Sequence, residues 1–307
     1  MGFWDWYPRT DFHELNLDWI LRKIKYIEEI SPAYEEKNGI VRYFYVDQNA
    51  GSDLNDGLTV NTPFQTLGKA LDKLNEGLLN VGVYFLSGGT YYIPTQQRVF
   101  AHCTLHLSVI NPVDVTIKSV DDRLVGYNVH FSFYGMENHP LVFEISTWRM
   151  DGGQLWGEYL DIQKGIGLNS CGARLRWCTF RGFSFNNNGN IHFESPTFVT
   201  TETEYETEDG TIMMWSCVAG CVYINGELTL INENQQPWYA SGCLFGVRGG
   251  LIGLSSALTN GNTLDSTMRI HYFAHTYGGR VIGTDDVKTL LSSTLFRSAI
   301  INTGNIW

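Results

Sequence analysis

Apolar and polar residues alternate in short runs over most of the chain. From about residue 80 onward, these runs carry apolar side chains at every second position, and Gly, Asn or Asp residues separate them. Thr104 to Val109 and Val113 to Ile117 show the alternation that is typical of strands with one buried face. Because no helical pattern interrupts residues 80–255, a βαβ arrangement is excluded, and a β-solenoid or a β-sandwich is indicated.

The N-terminal part contains the strongest helix signal, over residues 11–30. Asp11 and Glu14 fit a capping box, and Pro32 ends the pattern. A helix with a seam of about two heptads is marginally stable alone. We therefore predict that it contacts sister chains or another protein; the alternative is that it folds back on the chain's own core. The residues predicted to make this contact are Leu17, Trp19, Ile20, Ile24 and Ile27.

A strand, a turn-rich loop and a short helix follow in residues 43–71. The run reads Tyr45-Val46-Asp47, Gly51-Ser52-Asp53, Asn55-Asp56-Gly57-Leu58, Thr62-Pro63-Phe64-Gln65-Thr66-Leu67 and Lys69-Ala70-Leu71. This order of elements resembles the opening of many pectate-lyase-like β-helix proteins. The resemblance implies a right-handed parallel β-helix, with about 22 residues per turn and about eight turns over residues 80–255. It implies no activity, since the same opening precedes both enzymes and inert adhesins.

A second resemblance lies in the N-terminal helix. Residues 11–21, Asp-Phe-His-Glu-Leu-Asn-Leu-Asp-Trp-Ile-Leu, are similar to a segment that opens tail-fibre-like proteins of phages infecting Gram-positive gut bacteria. The resemblance implies a virion protein, attached through this helix to other tail or virion proteins. By analogy with phage spikes, it also implies a homotrimer.

The predicted fold class is all-β, a right-handed parallel β-helix with an N-terminal α-helix and a small C-terminal cap. Four segments are expected along the chain. Residues 1–32 form the helical attachment or oligomerisation segment, and residues 33–79 form a linker and the cap at which the β-helix begins. Residues 80–255 form the β-helix, and residues 256–307 form a C-terminal cap or trimerisation segment.

Charge and composition narrow the choice of partners. The formal net charge of −11 disfavours nucleic acid as a partner. Because no stretch reaches the roughly 18 apolar residues of a membrane helix, we expect no membrane insertion. We also expect no signal peptide, synthesis in the host cytoplasm and location in the virion tail. The six cysteines are expected to be buried free thiols.

Candidate chemistry is sparse along the chain. Residues 201–209 alternate Thr with acidic residues and are expected to form a solvated loop. No hydrolase or lyase signature stands out, so no catalytic residue, metal or cofactor is assigned. Aromatic residues with polar neighbours are the best candidates for stacking on a bacterial surface glycan. The candidate glycan-binding residues are Trp156, Glu158, Tyr159, Asp161, Trp238 and Tyr239.

These observations favour a non-enzymatic phage tail spike or tail fibre that binds a host-surface glycan. Two alternatives stay open at this point. One is a polysaccharide depolymerase of the same architecture, a glycoside hydrolase or polysaccharide lyase. The other is a head or collar fibre that binds no cells.

Overall fold

A computed structural model describes most of residues 41–254 and four strands beyond them. The gaps within residues 41–254 are 77, 98, 182–183, 201–212, 234–237 and 250, and the later strands cover 263–264, 268–277, 280–282 and 296–301. The chain divides into two compact units, Met1–Ile40 and Val41–Trp307. The predicted contact residues Leu17 to Ile27 belong to the first unit and lie outside the described residues.

Strands are the main regular structure of the described part of the second unit. Its strands pair in parallel and form two sheets, of 17 and 8 strands. The prediction of an all-β protein built from parallel strands is confirmed. The larger sheet consists of two ladders of paired strands, which we call ladder A and ladder B; the smaller sheet is ladder C.

Each ladder collects strands from the whole length of this unit. Ladder A contains β1 (Arg42–Val46), β2 (Asn80–Phe85), β5 (Thr104–Val109), the second halves of β7 (Arg123–Tyr134) and β9 (Thr147–Glu158), β12 (Gly172–Arg176), β15 (Asn190–Glu194), β18 (Cys221–Asn225), β21 (Leu251–Leu254) and β24 (Arg280–Ile282). Ladder B contains β4 (Val99–Ala101), the first halves of β7 and β9, β11 (Gly167–Asn169), β14 (Ser184–Asn187), β17 (Met213–Val218), β20 (Trp238–Arg248), β23 (Met268–Tyr277) and β25 (Phe296–Ile301). Ladder C contains β3 (Gly89–Ile93), β6 (Val115–Ser119), β8 (Leu141–Glu144), β10 (Leu160–Ile162), β13 (Thr179–Phe180), β16 (Thr197–Thr200), β19 (Thr229–Asn232) and β22 (Thr263–Leu264).

From β4 onward the chain visits the ladders in the repeating order B, A, C, as far as β24. The spacing between paired residues varies along ladder A. Gln154 pairs with His130, 24 positions earlier, and with Gly172, 18 positions later. Asn190 pairs with Cys221, 31 positions later. The strands β22 to β25, within the segment assigned to a C-terminal cap, pair in the same three ladders.

In strands such as β5, β6 and β8, alternate residues point into a continuous apolar core. On ladder C, one core position of successive strands is occupied by Tyr91, Ile117, Phe143, Ile162, Phe180, Phe198 and Leu230, all nearly inaccessible to solvent. Burial of large side chains in register on parallel strands is the main source of stability for such a sheet.

The corners between ladders use single residues with positive φ. Between ladders B and A, this residue is His102, Asn128, Ser170, Asn188, Ala219 or Gly249, and in β9 the two glycines Gly152 and Gly153 take its place. Asn and Gly adopt this conformation readily, whereas the others do so at a cost in energy. The recurrence of the same backbone state at one corner keeps the flanking strands in register with their neighbours.

One α-helix lies among the described residues, α1 (Leu67–Asn75), and a 3-10 turn covers Thr95–Gln97. Thr66 caps α1 by accepting a hydrogen bond from the Lys69 amide, and Leu67, Ala70 and Leu71 are buried. The short helix predicted at the end of residues 43–71 is therefore confirmed. Within the described part of the chain, no helix has the length and apolar character needed to cross a bilayer.

Candidate functional site

The outward face of ladder A carries an unusual set of side chains. Because side chains alternate along a strand, two outward positions of each strand form columns that cross the ladder. The first column contains Tyr43, Gly82, His106, Ser132, Trp156, Arg174, His192, Tyr223 and Gly253. The second column contains Tyr45, Tyr84, Ser108, Tyr134, Glu158, Arg176, Glu194 and Asn225. We call the two columns together the outer stripe.

The N-terminal half of the outer stripe is aromatic. The rings of Tyr43 and Tyr84 stack with centroids 4.6 Å apart and planes 6° apart. His106 packs on Tyr134 with a centroid distance of 5.0 Å. Burial among these rings, together with the neighbouring His130, lowers the pKa of His106 to about 4. His106 is therefore an uncharged ring at neutral pH, and this half of the stripe carries little charge.

The C-terminal half of the outer stripe is charged. The Arg176 guanidinium donates from Nη1 to Glu158 Oε1 at 2.9 Å and forms an ion pair from Nε to Glu194 Oε2 at 2.9 Å. Arg174 approaches the same Glu194 oxygen from its Nη2 at 3.6 Å. The two carboxylates thus share one guanidinium across three adjacent strands, an arrangement that holds both side chains in place.

A pair of stacked rings lies at the corner that follows these strands. Tyr159 and Trp177 occupy the same corner in successive repeats, both with positive φ, and their rings stack at 4.9 Å with an 18° angle. The Arg176 guanidinium carbon lies 4.3 Å from the Trp177 ring centroid, within cation–π range. The charged half is therefore bordered by an ordered aromatic pair.

Two further rings of the first column are exposed. Trp156 is 48% exposed and Tyr223 is 46% exposed. A Cβ placed on Gly253 would lie 2.7 Å from Cδ1 of Tyr223, so the glycine leaves room for the tyrosine ring against the neighbouring strand. The two rings are about 14 Å apart along the column, since three strand spacings of about 4.8 Å separate them.

The structure brings three of the predicted glycan-binding residues together. Trp156, Glu158 and Tyr159 lie on the outer stripe and its corner. Asp161 lies instead on ladder C, where its buried carboxylate accepts a 2.9 Å hydrogen bond from Nε of Arg181. Burial raises the pKa of Asp161, although Arg181 opposes the shift. This residue is therefore a partner within the protein and is not part of the exposed surface.

The second predicted pair lies on a different ladder. Trp238 and Tyr239 begin β20 on ladder B, where their backbones pair with Met268 and Arg269. Their side chains lie outside the described part of the structure. The pairing places them on another ladder from Trp156, so the six candidate residues do not form one cluster along a single ladder.

Sequence reasoning missed most residues of this surface. Those that the function proposed below depends on include Arg174, Arg176, Trp177, Glu194 and Tyr223. A usable signal was present in the spacing: Glu158-Tyr159 is followed 18 positions later by Arg176-Trp177, with a reversed charge and a second aromatic ring. Recognition of that period would have placed the two pairs side by side.

The remaining polar groups give little support for reactive chemistry. Burial raises the pKa of the Cys171 thiol to about 11 and that of Cys178 to about 12, so both are protonated and unreactive at neutral pH. Within the described residues, no group of three or more His, Cys, Asp or Glu side chains is placed to hold a metal ion. The outer stripe itself offers ring faces, guanidinium donors and carboxylate acceptors, which suit the binding of a polar ligand with flat apolar faces.

Comparisons of the chain with protein-family models, with curated proteins and with solved structures found no match. The class of the protein therefore rests on its own topology, an all-β chain whose parallel strands form two sheets.

Proposed function

We propose that this protein is a bacteriophage tail spike or tail fibre that binds a glycan on the host surface through the outer stripe. The observation that carries the proposal is the first column of ladder A, where exposed Trp156 and Tyr223 flank Arg174 and His192. Sugar rings present flat C–H faces that stack on aromatic rings, and they surround those faces with hydroxyl groups. Exposed rings that alternate with hydrogen-bonding side chains match that chemistry.

We further propose that the three ladders wind as a right-handed parallel β-helix. The repeating order B, A, C supports a coil in which each turn contributes one strand to each ladder. Parallel strands joined by crossover connections are right-handed in about 98% of cases, which favours that hand. The resemblance of residues 43–71 to the opening of pectate-lyase-like β-helix proteins supports the same proposal.

The location and assembly of the protein are proposals that rest on residues 11–30. The resemblance of residues 11–21 to the opening of phage tail-fibre-like proteins supports attachment to another tail or virion protein. The apolar seam from Leu17 to Ile27 supports contact of the predicted helix with sister chains or another protein, and the homotrimer is proposed by analogy with phage spikes. Electron microscopy of the phage particle with antibodies against the chain would test the location: labelling of the tail supports it, and an unlabelled tail contradicts it.

Binding of purified full-length protein to host cells and to an array of bacterial glycans tests the proposed activity. We expect Trp156→Ala and Tyr223→Ala each to weaken binding by roughly 5- to 150-fold, if a sugar face stacks about as strongly as a nucleic-acid base does, with about 1–3 kcal/mol. Tyr127→Ala is a matched control, because Tyr127 is 44% exposed but lies on ladder B. Equal loss in all three variants, or binding unaffected by the first two, would contradict the proposal.

The same experiment distinguishes the two alternatives. Release of reducing ends from a bound host polysaccharide would establish a depolymerase. A purely structural head or collar fibre would bind neither cells nor glycans, and phage lacking it would adsorb normally.

A further inference from the structure

We infer that the glycan bound by the outer stripe is acidic, and that Arg174 recognises its anionic group. This inference rests on the proposed function, since it assigns a ligand class to the same surface. It starts from the unequal pairing of the two arginines that stand beside Glu194.

Arg176 satisfies both carboxylates of the charged half. Its Nη1 donates to Glu158 at 2.9 Å, while its Nε and Nη2 approach the two oxygens of Glu194 at 2.9 and 3.3 Å. An arginine that faces carboxylates on both sides, with a two-point contact to one of them, has few donors left for a ligand. Arg176 is therefore a structural member of the stripe.

Arg174 differs from Arg176 in both exposure and pairing. Its side chain is 57% exposed, and its contact with Glu194 is a single approach of 3.6 Å to an oxygen that Arg176 already holds. Most of its five N–H donors therefore face solvent. An exposed guanidinium of this kind recognises planar carboxylates and phosphates by paired hydrogen bonds.

The position of Arg174 connects this free guanidinium to the stacking rings. In the first column it is the immediate neighbour of Trp156, one strand spacing of about 4.8 Å away. A sugar stacked on Trp156 would thus present a ring substituent to Arg174. A uronate carboxylate or a phosphate substituent on that sugar fits the donors, and a continuing chain of sugars would reach Tyr223.

The negative charge of the rest of the protein makes Arg174 the group that distinguishes acidic from neutral glycans. The whole chain carries a formal net charge of −11, which repels a polyanion in general. An acidic glycan is therefore held only where a local cation is exposed beside a stacking ring. We expect the preference for acidic over neutral sugars to depend on Arg174 more than on the total charge.

Binding to paired oligosaccharides tests the inference. Linear oligosaccharides that contain uronic acids are immobilised beside the same oligosaccharides after chemical reduction of their carboxyl groups. We expect the full-length protein to bind at least one acidic member roughly tenfold or more tightly than its reduced counterpart, as a charge-assisted hydrogen-bonded pair implies. Arg174→Gln should bring this ratio close to one while binding to the reduced sugars persists.

A matched control variant is Arg149→Gln. Arg149 is 56% exposed and has a carboxylate neighbour in Asp151, but it lies on ladder B. The ratio should be unchanged in this variant. Equal binding of acidic and reduced sugars by the unmodified protein, an unchanged ratio in Arg174→Gln, or equal loss in Arg149→Gln would each overturn the inference while leaving glycan binding intact. Failure to bind any sugar would overturn the proposed function as well.

Discussion

The aromatic core around Phe133 gives the sharpest test of how this fold is stabilised. Phe133 is fully buried, and its ring centroid lies 5.1 Å from Phe131, 5.0 Å from Phe143 and 5.9 Å from Trp148. Its neighbour in register on β9 is Gly157, which has no side chain to fill the space if the ring is removed.

The expected magnitude follows from these neighbours. Replacement of a buried phenylalanine by alanine costs about 3–5 kcal/mol of unfolding free energy. Three aromatic neighbours place Phe133→Ala in the upper part of that range, since each aromatic pair adds about 0.5–1.5 kcal/mol beyond its buried area. Phe133→Leu keeps most of the volume and should cost about 1.5 kcal/mol or less. Against a total stability of about 5–15 kcal/mol, the alanine variant should be severely weakened.

Guanidinium unfolding, followed by tryptophan fluorescence and far-UV circular dichroism, measures these differences. The control is Tyr92→Ala, since Tyr92 is an exposed ring on ladder C and should change stability by about 0.5 kcal/mol or less. The reasoning is refuted if Phe133→Ala costs no more than Phe133→Leu. An alanine variant that is as stable as the Tyr92→Ala control would refute it too.

Three other predictions concern a corner, a histidine and the N-terminal helix. Ala219→Gly should raise the unfolding free energy by about 0.5–1 kcal/mol, because Ala219 has a φ of 51°, which glycine adopts without strain. Ala50 does not have a positive φ, so Ala50→Gly is the control and should lower the unfolding free energy. Guanidinium unfolding compares the two variants. The pKa of His106 is about 4 in the folded protein, below its value of 6.5 in the unfolded chain. The contribution of His106 to the unfolding free energy should therefore be complete above pH 6.5 and decrease as the pH falls toward 4. His106→Gln should flatten this loss between pH 7 and pH 5, as unfolding midpoints would show, and an unchanged slope would contradict the assignment. Ile24→Asp should convert the proposed trimer to monomer, as sedimentation of the full chain would show, and an unaltered trimer would show that the predicted helix is not the oligomerisation element.

Strand positions were well predicted because alternation reports burial directly. Leu105 and Leu107 alternate with polar residues and face the core, as the pattern indicated. Where a turn interrupts the pattern, prediction was less accurate: β6 begins at Val115, two residues after the predicted start. Val113 belongs to the preceding turn, where its amide donates to the Asn111 carbonyl. An apolar residue in a turn is indistinguishable by periodicity from the first residue of a strand.

Corners and cross-strand neighbours could not be predicted in the same way. Positive φ at Trp177 or Ala219 contradicts the ordinary preference of these residues, and the surrounding strands impose it. The neighbours of Trp156 depend on repeat length, which changes from 24 to 18 residues within β9 and its partners. A single average of about 22 residues per turn therefore could not bring Glu158 beside Arg176.

The 18-residue spacing has a consequence for how such a chain can change length in evolution. Removal of residues 172–189 would join Cys171 to Asn190. Each strand of the following repeat would then take the place, in its ladder, of the corresponding lost strand. Loss of this repeat would also bring Glu194 directly against Glu158, without Arg176 between the two carboxylates. A gene segment that encodes this repeat can thus be lost without a change of strand register, but the loss leaves two like charges side by side on the outer stripe, which a charge-changing substitution would remove.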